Sequence, residues 1–313
     1  MVFEGVTREP PRASREHRDA RWTVGELLQW TTEKLESLGI PDARTDAQHL
    51  LAHALGCSRM DLYVRFHELL TAEARAGFRA LVRRRLAREP VAYIEGRRGF
   101  HALDLELVVD RRVLIPRPDS ELLVDWILED RPEEPPLTIV DVGTGSGALA
   151  LAIKHGRPGW HVQAVDVSEE AISVARENAA AHDLEVEFRC ADLLEGAVAP
   201  AGGFDVIAAN LPYIPTADIE TLAPEVRDFE PRLALDGGDD GLRLIDRLLG
   251  QVVQGSLLAP GGAVYLEFGV GQREEVVALA VRHGLWAEVR EDLGRIPRVA
   301  RVCVERPPVL AEG

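Results

Sequence analysis

The sequence predicts an α/β protein: a doubly wound, mainly parallel sheet, preceded by a small all-helical domain and joined to it by a β-hairpin. Three observations carry this expectation. Apolar residues recur at helical spacing through residues 23–88. The period changes to two between Leu103 and Val109. From Thr138 onward, short β-branched runs alternate with helical segments, which is the pattern of parallel β-α-β units.

The first twenty residues, MVFEGVTREPPRASREHRDA, are polar, contain proline and show no periodicity, so a disordered tail is expected over 1–20. The helical domain is expected over 21–92, the hairpin linker over 93–118 and the sheet domain over 119–308. Thr23-Val-Gly-Glu26 has the capping-box form, in which the Thr23 hydroxyl accepts from the Glu26 amide and the Glu26 carboxylate reaches back. Behind it Val24, Leu27, Leu28, Leu35 and Leu38 form an apolar stripe that Gly39 and Pro41 end. A second helix is expected from Asp42 to Leu55 with Gly56 as its cap. Further helices should start at Ser58 and run from Thr71 to Arg88, where Pro90 closes the last.

Leu103, Leu105, Leu107 and Val109 alternate with polar residues, and Asp110-Arg111-Arg112 is expected to turn the chain into Val-Leu-Ile-Pro as the second strand of the hairpin. Strands are then expected at 138–143, 161–167, 186–193 and 204–209, with helices at 146–156 and 169–183 between the earlier ones. A helix at 242–258, a strand at 263–268 and a helix at 272–283 come next. Two closely spaced strands, 286–292 and 298–305, should close the sheet as an antiparallel pair.

With 313 residues, 46% of them hydrophobic, the chain is long enough for a large core. No apolar run approaches the ~18–20 residues that cross a bilayer, and the first residues lack the apolar core of a signal peptide. A cytoplasmic protein with no membrane association is expected. Cys57, Cys190 and Cys303 are far apart and form no CxxC pair, which indicates neither a disulfide framework nor a zinc site. The nine histidines show no metal-ligand spacing, so no metal is expected. A net charge of -16 opposes the phosphate neutralisation on which sequence-independent nucleic-acid binding depends. No stable nucleic-acid binding is therefore expected, and a monomer is the default. The basic run at Arg83, Arg84, Arg85 and Arg88 reads as the solvated face of a helix.

DVGTGSGALA places Gly143, Gly145 and Gly147 between a strand and a helix, where backbone amides can approach a ligand and the helix adds a positive dipole end. Gly143, Gly145 and Ala148 also satisfy the G-x-G-x-x-A spacing of dinucleotide sites, so a nicotinamide or flavin site is an alternative at this point. Asp166 ends the next strand as a ribose-hydroxyl acceptor should, or else caps the helix after it. Asp192 ends the third strand, where a carboxylate can accept from an exocyclic adenine amine.

Asp141, the glycines, Asp166, Asp192 and Asn210, placed along successive strands, resemble the order of class I S-adenosylmethionine-dependent methyltransferases. The resemblance implies a Rossmann-like methyltransferase sheet of seven strands whose last runs antiparallel. It also implies S-adenosyl-L-methionine as cofactor, held by Asp141, Gly143, Thr144, Gly145, Gly147, Asp166, Val167, Asp192, Leu193 and Asn210.

Asn210-Leu211-Pro212-Tyr213 ends the buried run FDVIAA at the sheet edge where open α/β sheets bind ligands. A planar sp² nitrogen is a poor nucleophile because its lone pair is delocalised. Two acceptors aimed at its N–H groups orient it and favour the charge that develops on it. The Asn210 side-chain oxygen and the Leu211 carbonyl can be those acceptors. Pro212 biases Leu211 toward extended backbone, and Tyr213 offers a flat face.

A second signature is IPRPDSELLVDWIL from Ile115, which resembles the PRP(D/E)TE segment of HemK-type protein-glutamine methyltransferases of peptide chain release factors. DARTDAQHLLAHALG, VRRRLAREPVAYIEGRRGF, FEPRLALDGGDDGL and YLEFGVGQ are also similar to that family, so the resemblance runs from about Val24 to near the C-terminus. It implies methylation of the glutamine side-chain amide in the Gly-Gly-Gln motif of class I release factors. Asn210, Leu211, Pro212 and Tyr213 would be catalytic, and Arg117, Pro118, Glu121, Asn210 and Tyr213 would meet substrate, with Pro116 shaping the lid. The family's usual Asn-Pro-Pro-Tyr is Asn-Leu-Pro-Tyr here, and Ser120 stands for its commoner Thr; Leu211 keeps its carbonyl. The alternative is nitrogen methylation of another protein, a small metabolite or adenine in nucleic acid.

Overall fold

The computed structural model describes residues 22–101, 105–195 and 199–305; the segment expected to be a tail, Leu103 and residues 306–308 lie outside them. The chain divides into two compact units, the first ending at Glu95 and the second beginning at Gly96.

The first unit is helical: α1 (Val24–Glu36), α2 (Ala43–Leu55), α3 (Arg59–Val64), α4 (Ala72–Leu86) and α5 (Val91–Glu95). Thr23 and Ser58 both form complete capping boxes, with Glu26 and Asp61 respectively. Gly56 ends α2 at φ +59°, a conformation that costs glycine little. The apolar faces meet in a core built on Val24, Leu50, Leu51, Leu62, Phe78, Val82 and Ile94. The basic run departs from its sequence reading. Arg85 is buried, with Nε donating to Asp46 at 2.7 Å. Arg84 donates to the carbonyls of Tyr93 and Ile94 and so holds α5, yet stays exposed, as Arg83 does. An arginine one residue further along a helix is turned by about 100° and can meet the core side, which a charge count alone does not separate from the solvated side.

The second unit opens with a hairpin of β1 (Arg97–Phe100) and β2 (Leu105–Val108), then α6 (Glu121–Asp130). One sheet holds seven strands: β3 (Thr138–Val142), β4 (His161–Asp166), β5 (Glu187–Cys190), β6 (Phe204–Ala209), β9 (Leu258–Glu267), β10 (Trp286–Glu291) and β11 (Pro297–Cys303). Their order is β10-β11-β9-β6-β3-β4-β5, and β11, the last in the chain, runs antiparallel to both neighbours. Between β6 and β9 a short parallel pair, β7 (Ile214–Pro215) with β8 (Asp236–Gly238), stands apart from this sheet and has no counterpart in the sequence reading. Helices α7 (Ala148–Gly156), α8 (Glu169–Ala181), α10 (Arg243–Gln254) and α11 (Arg273–Arg282) connect the large sheet, and the single turn α9 (Pro224–Arg227) lies between β7 and β8.

Strand alternation sorts the core into two faces. Ile139 of β3 packs with Trp126 of α6, Leu151 of α7 and Trp160, while Val140 and Val142 pack with Leu248 of α10 and Val276 of α11. Each fully buried aliphatic side chain contributes roughly 1.5–3 kcal/mol. Asn178, fully buried on α8, clamps the hairpin: its Oδ1 accepts from the Val108 amide at 2.7 Å and its Nδ2 donates to the carbonyls of Val108 and Ser146. Among the described residues no helix is long and apolar enough to cross a membrane.

The hairpin corrects one expectation. The partner of Leu105–Val108 is the upstream Arg97–Phe100, and residues 113–116 form no strand. The expected turn exists, because the Asp110 carboxylate accepts from the Arg112 amide at 2.9 Å. Beyond the turn the chain is irregular, with Val113 and Ile115 buried, and the Ile115 amide donates to Glu230 instead of to a strand. Pro116 has no amide to offer a ladder.

Register positions the site. Val142 is level with Val165 on β4 and with Ala209 on β6. Gly143, Asp166 and Asn210 therefore emerge side by side at the carboxyl edge. Ala209 is in turn level with Leu266 on β9, and Val299 of β11 with Glu267. Glu267 and Arg298 thus reach the same edge.

Candidate active site

Between β3 and α7 the backbone takes positive φ at Gly143 (+74°), Gly145 (+56°) and Gly147 (+86°), which L side chains adopt only with strain. The three glycines serve different ends. A Cβ on Gly145 would meet nothing within 4 Å, so a ligand can approach the backbone there. A Cβ on Gly143 would lie 2.9 Å from Leu211, and one on Gly147 would press on Leu151 and Ala175, so both are needed for close packing. Asp166 holds the loop from the adjacent strand: Oδ2 accepts from the Gly145 amide and Oδ1 from the Ser168 amide, each at 2.9 Å. Burial raises its carboxyl above the ordinary range. Asp141 lies fully buried beneath the loop, where Oδ2 accepts from Thr144 Oγ1 at 2.6 Å and from the Ala150 amide. Its Oδ1 has no partner among the described residues, and burial pushes this carboxyl up to about 7.

Two cavities meet at this edge. The larger, about 520 Å³, is lined by Gly143, Gly145, Asp166, Val167, Asp192, Leu193, Asn210, Leu211 and Pro212, with Arg111–Leu114 and Pro231–Ala234 across it. A cavity of that size suits a nucleoside-sized ligand. Asp192 also accepts from Arg247 Nη2 at 2.8 Å, and both side chains are partly exposed. The smaller, about 50 Å³, is lined by Pro116, Arg117, Ser120, Thr144, Ser146 and Asn210 among others. Asn210 borders both, together with Leu114, Gly143 and Gly145, and so lies where their contents would meet.

The side-chain amide of Asn210 has a defined environment. Nδ2 donates to Ser120 Oγ at 2.8 Å, and Ser120 Oγ donates to Glu267 Oε2 at 2.5 Å. The Tyr213 hydroxyl donates to Glu267 Oε1 at 3.1 Å and accepts from Arg298 Nη2 at 3.2 Å. The Arg298 guanidinium carbon sits 5.6 Å from the centre of the Tyr213 ring and its Nη2 reaches Asp119 at 3.1 Å. Glu267 is wholly buried, which raises its carboxyl, and desolvation pushes the Tyr213 phenol up to about 12. Among the described residues nothing donates to Asn210 Oδ1 or to the Leu211 carbonyl.

The remaining candidates lie elsewhere. Arg117 borders the small cavity but is held by Glu230, Nη2 to Oε1 at 2.5 Å. Pro118 opens the 3₁₀ turn before α6, and Glu121 accepts from the His101 amide at 3.0 Å; neither borders either of these two cavities. Tyr213 faces Glu267 and Arg298, and Asp141 and Gly147 sit behind the loop.

Sequence reasoning misses Glu267, Arg298 and Glu230 as site residues. The signal for Glu267 is a lone acid ending the buried run AVYLE, where a carboxylate needs partners to be tolerated. Arg298 reads as one more alternating charge in a strand and carries no such signal.

Family models match two stretches: the PrmC N-terminal domain over residues 26–96 and a methyltransferase domain over residues 139–229. Among solved structures, the hMettl16 catalytic domain in complex with MAT2A 3'UTR hairpin 6 superposes with a TM-score of 0.51 at 13% identity, covering 71% of this chain and 92% of that one, a likeness of fold alone. Curated relatives are much nearer. The release factor glutamine methyltransferase of Geobacter sulfurreducens is 42% identical over 84% of this chain and 90% of its own length. That of Rhodopirellula baltica is 40% identical over 87% and 92%, and that of Caulobacter vibrioides 41% over 88% and 96%. Identity at this level through both units, over nearly the whole of each relative, makes the chain a member of the release factor glutamine methyltransferase family.

Proposed function

We propose that this protein transfers a methyl group from S-adenosyl-L-methionine to the side-chain amide nitrogen of the glutamine in the Gly-Gly-Gln motif of class I peptide chain release factors. The observation that carries the reading is Asn210: its amide nitrogen is committed to Ser120, and its oxygen faces no donor among the described residues at the junction of two cavities. Such an oxygen, with the equally unbonded Leu211 carbonyl, suits the two N–H groups of a primary amide.

The residues fit the cofactor. Gly145 leaves open space for a close backbone approach, Asp166 keeps acceptor capacity beside the glycine loop, and the unpartnered Asp141 Oδ1 suits an ammonium donor. Val167, Asp192 and Leu193 would enclose the adenosine end, and Gly143, Thr144 and Gly147 shape the loop. When bound, S-adenosyl-L-methionine supplies an electrophilic methyl on a sulfonium, which becomes a neutral thioether as it leaves.

Asn210 and the Leu211 carbonyl hold the glutamine amide so that its nitrogen lone pair points at the methyl, and both favour the positive charge that grows on nitrogen. Transfer would form the nitrogen–carbon bond at the expense of the cofactor's sulfur–carbon bond, and the N-methylated amide would lose one proton to water. Pro212 limits the turn, Arg117 borders the small cavity, and Tyr213, Pro118 and Glu121 would support its surroundings from behind. The helical unit would recognise the release factor, with the 93–118 segment as linker to the methyltransferase domain at 119–308. A cytoplasmic monomer without stable nucleic-acid binding accords with the net charge of -16. Incubation with a purified class I release factor and cofactor carrying a labelled methyl tests the reading. Label in the factor supports it; unlabelled factor with cofactor binding intact contradicts it.

A further inference from the structure

We propose that Glu267, which borders neither cavity, governs the reaction through Ser120 by fixing which way round the Asn210 carboxamide sits. The two ends of an asparagine side chain are nearly the same size, yet only the oxygen end can accept from a substrate nitrogen. A reversed Asn210 would offer N–H to N–H.

The polarity comes from counting protons. An ionised Glu267 has none to donate, so Ser120, 2.5 Å away, must spend its single proton on it. Ser120 Oγ can then only accept from Asn210, and the end of the carboxamide 2.8 Å from it must be the NH₂. The other oxygen of Glu267 is set in the same way. Arg298 donates to the Tyr213 hydroxyl, so the proton of Tyr213 must go to Glu267. Every proton in this chain points at one carboxylate: burial raises Glu267, and the Ser120 and Tyr213 hydroxyls, with Arg298 Nη2 3.6 Å from Oε1, act the other way and favour its ionised form. Glu267 is wholly buried and Ser120 and Arg298 nearly so, so bulk water competes little with the order of these protons. Glu267 and Ser120 are therefore positioning residues for Asn210. The inference rests on the reading that Asn210 accepts from the substrate nitrogen.

The test compares Ser120→Ala, Ser120→Thr and Glu267→Gln in the full chain, with a release factor and S-adenosylmethionine. Removing the hydroxyl should lower kcat by about tenfold or more, the scale of one lost orienting hydrogen bond, with cofactor affinity unchanged. Ser120→Thr keeps the hydroxyl and should recover kcat to near the original. Glu267→Gln can turn its own NH₂ toward Ser120 and reverse the order, and should lower kcat at least as far while leaving the melting temperature of the cofactor complex close to the original. Equal kcat in Ser120→Ala and the original protein, or a Ser120→Thr as impaired as Ser120→Ala, would overturn the inference. NMR of the Asn210 side-chain NH₂ supplies a readout independent of substrate. Its protons should resonate as a protected pair in the original protein and exchange with solvent in Ser120→Ala. Protection that survives the substitution overturns the positioning, whereas a protected pair in a protein that methylates no release factor overturns the substrate reading alone.

Discussion

A side chain on Gly237 would place its first carbon 2.7 Å from the carbonyl oxygen of Pro212. Gly237 lies on β8, which pairs with β7 just after the Asn-Leu-Pro-Tyr turn, so the DGGDDG loop is pressed directly onto that turn. The same added carbon would also sit 2.6 Å from the Gly241 carbonyl oxygen, and backbone atoms cannot swing aside as a side chain can. Gly237→Ala should therefore displace Pro212, destabilise the protein by about 1–3 kcal/mol, the usual range for overpacking, and lower turnover. Thermal melts and a methylation assay check this. An alanine variant with unchanged melting temperature and turnover would show that the turn tolerates movement.

Gly145 contrasts with it. Its added carbon meets empty space, but at φ +56° an alanine is strained by roughly 1–2 kcal/mol, and the carbon would occupy the face left open beside the larger cavity. Cofactor affinity in Gly145→Ala should fall while the fold persists, as calorimetric titration with S-adenosylmethionine would read. Undiminished affinity would remove the glycine loop from the cofactor site.

For Asn210→Ala, turnover should fall by ~10²-fold or more, the scale of losing one preorganised polar contact in a transition state. Cofactor affinity should change little. A variant with normal turnover would mean that another group accepts from the substrate nitrogen.

Asp141 makes a pH-dependent prediction. Its folded carboxyl is raised from the ordinary 3.8 to about 7 by burial. The stability it contributes is therefore full below about pH 4 and lost as pH rises through about 7, by up to roughly 4 kcal/mol. Asp141→Asn keeps an oxygen for Thr144 and Ala150 and removes the charge. Without cofactor, the variant should melt higher than the original protein at pH 8, and the gap should close toward pH 5. Its cofactor affinity should be lower. A gap that widens on acidification would contradict the assignment of a costly buried charge.

Asp192 and Arg247 form a partly exposed ion pair at the rim of the larger cavity. Such pairs contribute about 0–1 kcal/mol, so Asp192→Asn should leave the melting temperature nearly unchanged. Cofactor affinity should fall if Asp192 receives an adenine amine. A large loss of stability with normal affinity would make Asp192 a structural residue.

Much of this architecture is legible in the sequence because local patterns and tertiary demands coincide there. Thr23 and Ser58 announce helix starts through short-range hydrogen bonds, and the β-branched runs of β3, β4 and β6 can only be buried strands. The hairpin is hard to place because Arg97-Arg98-Gly-Phe100 exposes three of its four residues and shows no apolar alternation, while Val-Leu-Ile-Pro has strand composition and no ladder. Around Asn210 the difference is one of range. The turn itself is contiguous, but its carboxamide is held by Ser120, ninety positions earlier, and Ser120 by Glu267, 147 positions later. Only the register that sets Ala209 beside Leu266 brings these together, and register across a sheet leaves no mark on a single stretch of sequence.

Mass spectrometry of a purified class I release factor, incubated with this protein and S-adenosylmethionine beside a factor whose Gly-Gly-Gln glutamine is alanine, decides whether the amide held by Asn210 is that glutamine. One added methyl, mapped to the glutamine, is expected on the normal factor and none on the alanine factor. A methyl on both factors, or on neither while the cofactor still binds, would mean that the site serves a different nitrogen.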